Sequence, residues 1–143
     1  MARGTLRIAA AATVVLAALV TTLVVDRDEG PAAAARRNPD AMAPDGVRIR
    51  VQVLNSTTTR GLARRATALL RDHGFDVVEM GTATEQLDST LVLDRSGHPA
   101  WAQRVAAALG GARVTARPDS SRFLDVTVLL GRSWRPPAQP FYP

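Results

Sequence analysis

Apolar and polar residues alternate from Val47 to Leu54. Val47, Ile49, Val51 and Val53 fall on one side, with Arg48, Arg50 and Gln52 on the other. A period of two over that length predicts a half-buried strand. The polar turn Asn55-Ser56-Thr57 follows, and the period then changes. Leu62, Ala66, Leu69 and Leu70 lie on one arc at helical spacing, nearly opposite Arg60, Arg64 and Arg71. This predicts a helix over 59–73. Thr58 or Thr59 is placed to cap its start, and Gly74 to end it in the left-handed conformation.

The second half repeats the plan. Strands are predicted at 76–80 and 89–94, the latter burying Leu91 and Leu93, with a loop over 81–88 between them. Gly97-His98-Pro99 opens a helix over 99–109, with Pro99 suited to its first position. That helix offers Trp101, Val105 and Leu109 to a core and ends at Gly110-Gly111. A short strand at 112–117, a turn at Pro118-Asp119-Ser120-Ser121 and a last strand at 124–130 complete the order β-α-β-β-α-β-β. The expected class is α+β: two related βαβ-type halves with both helices on one sheet face and the other face partly open.

Ahead of this domain the pattern is different. Ile8 to Val25 is a run of 18 residues without a charge, ending at Asp26-Arg27-Asp28-Glu29. As a helix it is about 27 Å long, close to the hydrocarbon thickness of a bilayer. A retained signal anchor is the first reading. A cleaved signal peptide is the second, with Ala32–Ala35 as a small-residue site lying well beyond the apolar run. A buried soluble helix is the third, and it leaves no polar face for water. Arg3 and Arg7 sit close to the run in a very short tail, which favours a cytoplasmic N-terminus, although Arg27, Arg36 and Arg37 follow it. The expected organisation is a tail at 1–7, a membrane span at 8–25, an extended linker at 26–45, the domain at 46–135 and a Pro-rich tail at 136–143.

Composition narrows the chemistry. The chain has no Cys, which excludes disulfides, thiolate metal sites and an acylated lipoprotein anchor. All 18 basic residues are Arg, a bias that a GC-rich genome accounts for. From Gly46 to Arg135 there are 13 Arg against 8 acidic residues, so the whole net charge of +5 belongs to the domain. Arg presents a planar fork suited to carboxylate and phosphate.

Several stretches resemble a known family in order and at matching spacing. They are Val51-Gln52-Val53-Leu54-Asn55-Ser56-Thr57, Gly61-Leu62-Ala63, Gly74-Phe75-Asp76-Val77-Val78, Leu93-Asp94-Arg95-Ser96-Gly97, Ala108-Leu109-Gly110-Gly111-Ala112 and Asp125-Val126-Thr127-Val128-Leu129-Leu130-Gly131. Together they resemble the LytR C-terminal domain over Val47 to about Trp134. Ser56 and Thr58 stand where that family usually has Gly. In many relatives the domain follows a LytR-CpsA-Psr catalytic domain, whose motifs have no counterpart here. The resemblance implies an extracytoplasmic, envelope-associated setting and no catalytic residues to carry over. The chain is also similar to small membrane-anchored envelope-integrity proteins that carry this domain alone.

Asp94, Ser96 and His98 alternate too closely along a turn to converge as a triad, so a strand end and helix cap is expected of them. His73 reads as a packed helix-end histidine, and Asn55 as the side chain that closes the first β-to-α turn, with a binding role as its alternative. No phosphate loop, dinucleotide fingerprint, zinc spacing or calcium loop occurs, and no cofactor or metal is expected. The sharper candidate is the open face. Arg48 and Arg50 should point there, joined by Arg113 and Arg117, forming one anion-binding surface. The expected function is a non-catalytic binding or scaffolding module whose partner is an envelope polymer or an envelope protein. An accessory subunit of a wall-polymer transferase and a nucleic-acid-binding regulator are the alternatives. Nucleic acid fits poorly, because an outward-facing domain would not meet DNA and the domain has few aromatics for stacking.

The apolar run makes a direct prediction. Membrane fractionation followed by N-terminal sequencing should find residues 8–25 in the mature, membrane-bound chain. A mature chain starting near Ala35 or Arg36 would show cleavage instead.

Overall fold

A computed structural model of the chain describes residues 38–120 and 123–137. The domain has the predicted element order: β1 (Arg50–Asn55), α1 (Leu62–Asp72), β2 (Asp76–Thr82), β3 (Leu91–Asp94), α2 (Pro99–Ala108), β4 (Arg113–Ala116) and β5 (Val126–Leu130). One five-stranded sheet has the order β2-β1-β5-β3-β4. β1 pairs in parallel with β2, and β3 with β4, each pair bridged by one helix. β5 lies between the halves, parallel to β1 and antiparallel to β3.

The two halves run in opposite directions and step outward to opposite edges. With the usual right-handed crossover, that arrangement puts both helices on the same face. Ala66 and Leu70 of α1 and Ala102 and Val105 of α2 are accordingly buried in one core with Val51, Val53, Val92, Val126, Val128 and Leu130. The register aligns Val53, Val128 and Val92 beneath the helices.

Two expectations need adjusting. Leu91 and Leu93 were expected to be buried; Leu93 is, but it is Val92 that faces the helices. Leu93 pairs with Thr127 on the opposite face, where it is also buried, and Leu91 is half-buried. An unbroken Leu-Val-Leu run does not mark its inner face, and a one-residue change of register inverts every side chain. The antiparallel pairing with β5 settles the choice. Neither Thr58 nor Thr59 caps α1: the cap position is Gly61, at φ +81°, with no side-chain cap bond. The threonines instead belong to a turn that satisfies itself, and local side-chain bonds of this kind compete with helix.

Both helix ends follow from glycine. At the end of α1, Gly74 (φ +84°) donates its N–H to Arg71 O, and Phe75 N–H donates to Leu70 O. Gly110 and Gly111 repeat these bonds to Ala107 and Ala106 at the end of α2. This paired pattern needs a left-handed residue, which favours glycine. Trp134 then packs over the end of α2, its indole Nε1–H donating to Leu109 O at 3.1 Å.

Part of the expected linker lies on the domain. Pro39–Ala41 forms a short 3-10 helix, capped by the Asn38 side chain, and buries Ala41 completely. Arg104 of α2 donates to Pro39 O and Met42 O, and Ala43 N–H donates to His73 O. Among the described residues no helix is long and apolar enough to cross a membrane. The predicted span at 8–25 lies outside them, as do the tail at 1–7, residues 26–37 of the linker and residues 138–143.

Gly131 is a sharp test of the packing. A Cβ built there would come within 2.2 Å of the Ser89 carbonyl carbon, where backbone leaves no room. Gly131→Ala should therefore lower unfolding stability by about 2 kcal/mol or more in denaturant titrations. An unchanged midpoint would mean that the β5 end and the Ser89 loop are not in contact.

Candidate functional site

The sheet face away from the helices presents three rows, set by the strand register. Arg50, Asp125 and Arg95 form the first. Gln52, Thr127, Leu93 and Thr115 form the second, and Leu54, Leu129, Leu91 and Arg113 the third. Arg50 is committed to its neighbour. Its backbone N–H and its Nε donate to Asp125 Oδ2 at 2.8 and 3.1 Å, and Nη2 donates to Oδ1 at 3.3 Å. Burial pushes the Asp125 carboxyl up, but the hydrogen bonds and charge of Arg50 outweigh it and hold the group below its usual value. The same hydrogen bond raises the guanidinium of Arg50. Arg48, more exposed, pairs with Asp76.

Arg113 and Arg117 lie at the other edge. β1 and β4 are separated by β5 and β3, which puts about 14 Å between them at normal strand spacing. Both side chains are exposed, and neither has a side-chain hydrogen bond or ion pair among the described residues. The four predicted arginines thus fall into two pairs: Arg48 and Arg50 neutralised on one side, Arg113 and Arg117 free on the other. The structure does not bring them into one cluster.

Arg95, not among the predicted site residues, lies beside this second pair. Its Nε donates to Thr127 Oγ1 at 3.2 Å, that hydroxyl donates to Gln52 Oε1 at 3.2 Å, and its Nη1 reaches Arg117 O at 3.4 Å. The signal was available: Arg95 continues the alternation two residues beyond Leu93. Beside it, Phe123 is 77 % exposed with φ +52°, a backbone conformation that costs a non-glycine residue energy. Phe123 lines a notch with Arg50, Arg95, Pro118 and Asp125.

The remaining candidates are occupied by the fold. Asn55 Oδ1 accepts from the N–H and the hydroxyl of Thr57 at 3.0 and 2.7 Å, and its Nδ2 donates to Thr59 O at 2.8 Å. Asn55 also lines the hollow at the start of α1. Asp94 is buried, and its Oδ1 accepts from the backbone N–H groups of Ser96, Gly97 and His98 at 3.0–3.2 Å. It fixes the loop that enters α2. His98 Nδ1 lies 3.2 Å from Ser96 Oγ, and its ring stacks on Trp101 with centroids 4.0 Å apart. His73 is wholly buried, with Nδ1 2.8 Å from Leu69 O. Among the described residues no three His, Asp or Glu side chains are grouped to hold a metal ion.

The Arg50–Asp125 pair carries a pH dependence of known sign. A carboxyl whose folded pKa is depressed stabilises the fold above its ordinary value, and that contribution is lost as pH falls through the folded one. Asp125→Asn should therefore be clearly less stable than the parent at neutral pH. The gap should narrow in unfolding titrations taken below about pH 4, where unfolded carboxylates protonate. A gap that stays constant to the most acid point would mean the charge of Asp125 does not matter.

The family model described as LytR cell envelope-related transcriptional attenuator, LytR_C, matches residues 48–134. No curated protein matches the chain. A solved structure, the soluble domain of a conserved hypothetical secreted protein (Rv2700 ortholog) from Mycobacterium marinum, is similar at 20% identity with a TM-score of 0.44. The match covers 64% of this chain and 64% of that one. From β1 to the tryptophan that closes over α2, and across more than half of its length, the chain belongs to the LytR C-terminal domain family.

Proposed function

We propose that the chain is a non-catalytic binding and scaffolding module of the bacterial cell envelope. It is anchored through residues 8–25, with its domain extracytoplasmic. One observation carries the binding half of this reading. Arg113 and Arg117 project from the open face at the β4 edge without side-chain partners among the described residues, and Arg95 lies beside Arg117. An arginine that completes no structural bond is available to a carboxylate or phosphate, which its fork suits. The membership in an envelope-related family supports the setting, and the uncharged run at 8–25 supports the anchor.

A binding role is also the better fit to the polar groups. Asp94, Ser96 and His98 are the nearest approach to a nucleophilic constellation, and Asp94 gives one carboxylate oxygen to three backbone N–H groups. A general base needs a free lone pair aimed at the proton it removes. Replacing Asp94 should therefore loosen the loop into α2 rather than abolish a turnover.

The expected partner is anionic, and the test separates site from diffuse charge. The full-length chain is titrated with poly(glycerol phosphate), as a model of anionic wall polymer, and with anionic lipid vesicles, at low and moderate salt. Each exposed contact contributes roughly 0–1 kcal/mol and is weakened by salt. Arg113→Ala/Arg117→Ala should weaken polymer binding by about ten-fold at low salt, while Arg60→Ala/Arg64→Ala should weaken it less. Equal losses from both pairs would mean diffuse attraction without a site. Absence of binding to either probe at low salt would leave the arginines as a solvated edge.

A further inference from the structure

The opposite edge of the sheet has a different character. β2 pairs with β1 on one side, and among the described residues no strand covers its other side. The pairing is irregular: the register shifts between Val51 and Gln52, where Val77 and Glu79 are their respective partners and Val78 is the extra residue. A bulge of this kind bends an edge strand and re-aims its side chains. Val78 and Met80 are left 48 % and 50 % exposed, two of the four large apolar side chains on the surface of the described domain.

These two side chains form one wall of a furrow. The other wall is α1. Arg64, Arg71, Val78, Glu79 and Met80 line its first part. Arg60, Arg64 and Met80 line a second part that runs on to the start of the helix. Arg64 and Met80 belong to both, so the furrow is continuous. Arg71 turns inward and donates to Val77 O at 3.0 Å, which closes one end. Arg60 and Arg64 are exposed, without a side-chain hydrogen bond or ion pair among the described residues. Glu79 is one carboxylate against three guanidinium groups. The uncapped helix start at Gly61 adds its positive dipole end to the same side.

We propose that this furrow binds an acidic, extended segment of a protein partner. Spacing and chemistry both lead there. In an extended chain successive side chains point opposite ways, and alternate ones are about 6.6 Å apart. Arg64 stands in the first turn of α1 and Arg60 just before its cap at Gly61, and both line the same part of the furrow. Val78 and Met80 are two strand residues apart, again about 6.6 Å. A segment that alternates carboxylates with aliphatic side chains therefore meets arginine along one wall and Val78 and Met80 along the other. An anionic polymer would answer the arginines but would leave the apolar wall in water. The proposal is independent of the Arg113–Arg117 edge and goes beyond the binding role assigned to it.

The experiment uses the full-length chain and a dye-labelled decapeptide of alternating Glu and Val, followed by fluorescence anisotropy at low and moderate salt. Arg60→Ala/Arg64→Ala should weaken binding by roughly ten-fold at low salt and by less as salt rises. Val78→Ser/Met80→Ser should weaken it several-fold at both salt concentrations, a loss that charge alone does not predict. Arg113→Ala/Arg117→Ala should leave it within about two-fold, which keeps this test separate from that of the open face. Circular dichroism of each variant confirms the fold, and all six side chains are exposed. Three results would overturn the proposal: no binding of the peptide at low salt, equal binding of a Lys-Val decapeptide, or indifference to Val78→Ser/Met80→Ser. Displacement of the peptide from the furrow by poly(glycerol phosphate) at equal charge concentration would assign it to polymer instead.

Discussion

Val126, Val128 and Leu130 are wholly buried, and their strand is held by β1 on one side and β3 on the other. Each βαβ half alone would be a two-stranded sheet under one helix, too small to bury its apolar face. β5 supplies the shared centre that both halves pack against. It also decides the direction of the second half. Pairing antiparallel to β3 sends β4 to the far edge, fixes Val92 beneath the helices and turns Leu93 to the opposite face. The separation of the arginines follows from the same pairing, since β5 and β3 lie between β1 and β4.

That constraint sorts charged groups into two kinds. Where β5 enters the sheet, Asp125 is buried, and burying a carboxylate is costly unless it is paired and hydrogen-bonded. Arg50 meets that requirement with its guanidinium and its backbone N–H, so its charge is spent inside the domain. Arg48 pairs with Asp76 in a more exposed setting. At the edges there is no such demand. Arg113 on β4, Arg117 just beyond it, Arg64 on α1 and Arg60 just before it make no side-chain hydrogen bond or ion pair among the described residues.

Much of the fold was legible because local signals agreed with one another. The alternation of Val47 to Val53 pointed to β1, although the strand begins only at Arg50 and leaves Val47 exposed, and the glycines at 74, 110 and 111 sit where each helix stops. What was not legible needed partners distant in sequence. The inner face of β3 is ambiguous in Leu91-Val92-Leu93 until Val128 is placed opposite Val92. The separation of Arg48 and Arg50 from Arg113 and Arg117 depends on strand order, which no local pattern encodes. The start of α1 was misplaced for a different reason. Thr58 and Thr59 look like caps, yet Asn55 closes a turn with Thr57 and Thr59, and the helix begins only at Leu62. Arg95 was within reach of alternation but stood beyond the end of β3, whose inner face the sequence leaves open.

The two open groups of arginines lie at opposite edges of the sheet. β2 and β4 are four strand spacings apart, about 19 Å. The furrow opens beside α1, on the helix side of β2, whereas Arg113 and Arg117 project from the face that carries no helix. An occupant of one therefore does not obstruct the other. With the proposed anchor at 8–25, this geometry changes what weak contacts can achieve. Each exposed arginine contributes little by itself, but the two proposed surfaces on one tethered domain would act in sequence on a confined partner. Once one is engaged, the second meets its target at a local concentration that the tether sets. A domain that holds an acidic protein segment at one edge and an anionic polymer at the other would bring the two together without any chemistry of its own. Scaffolding by this chain then requires both surfaces to be occupied at once, and the sheet is wide enough for that.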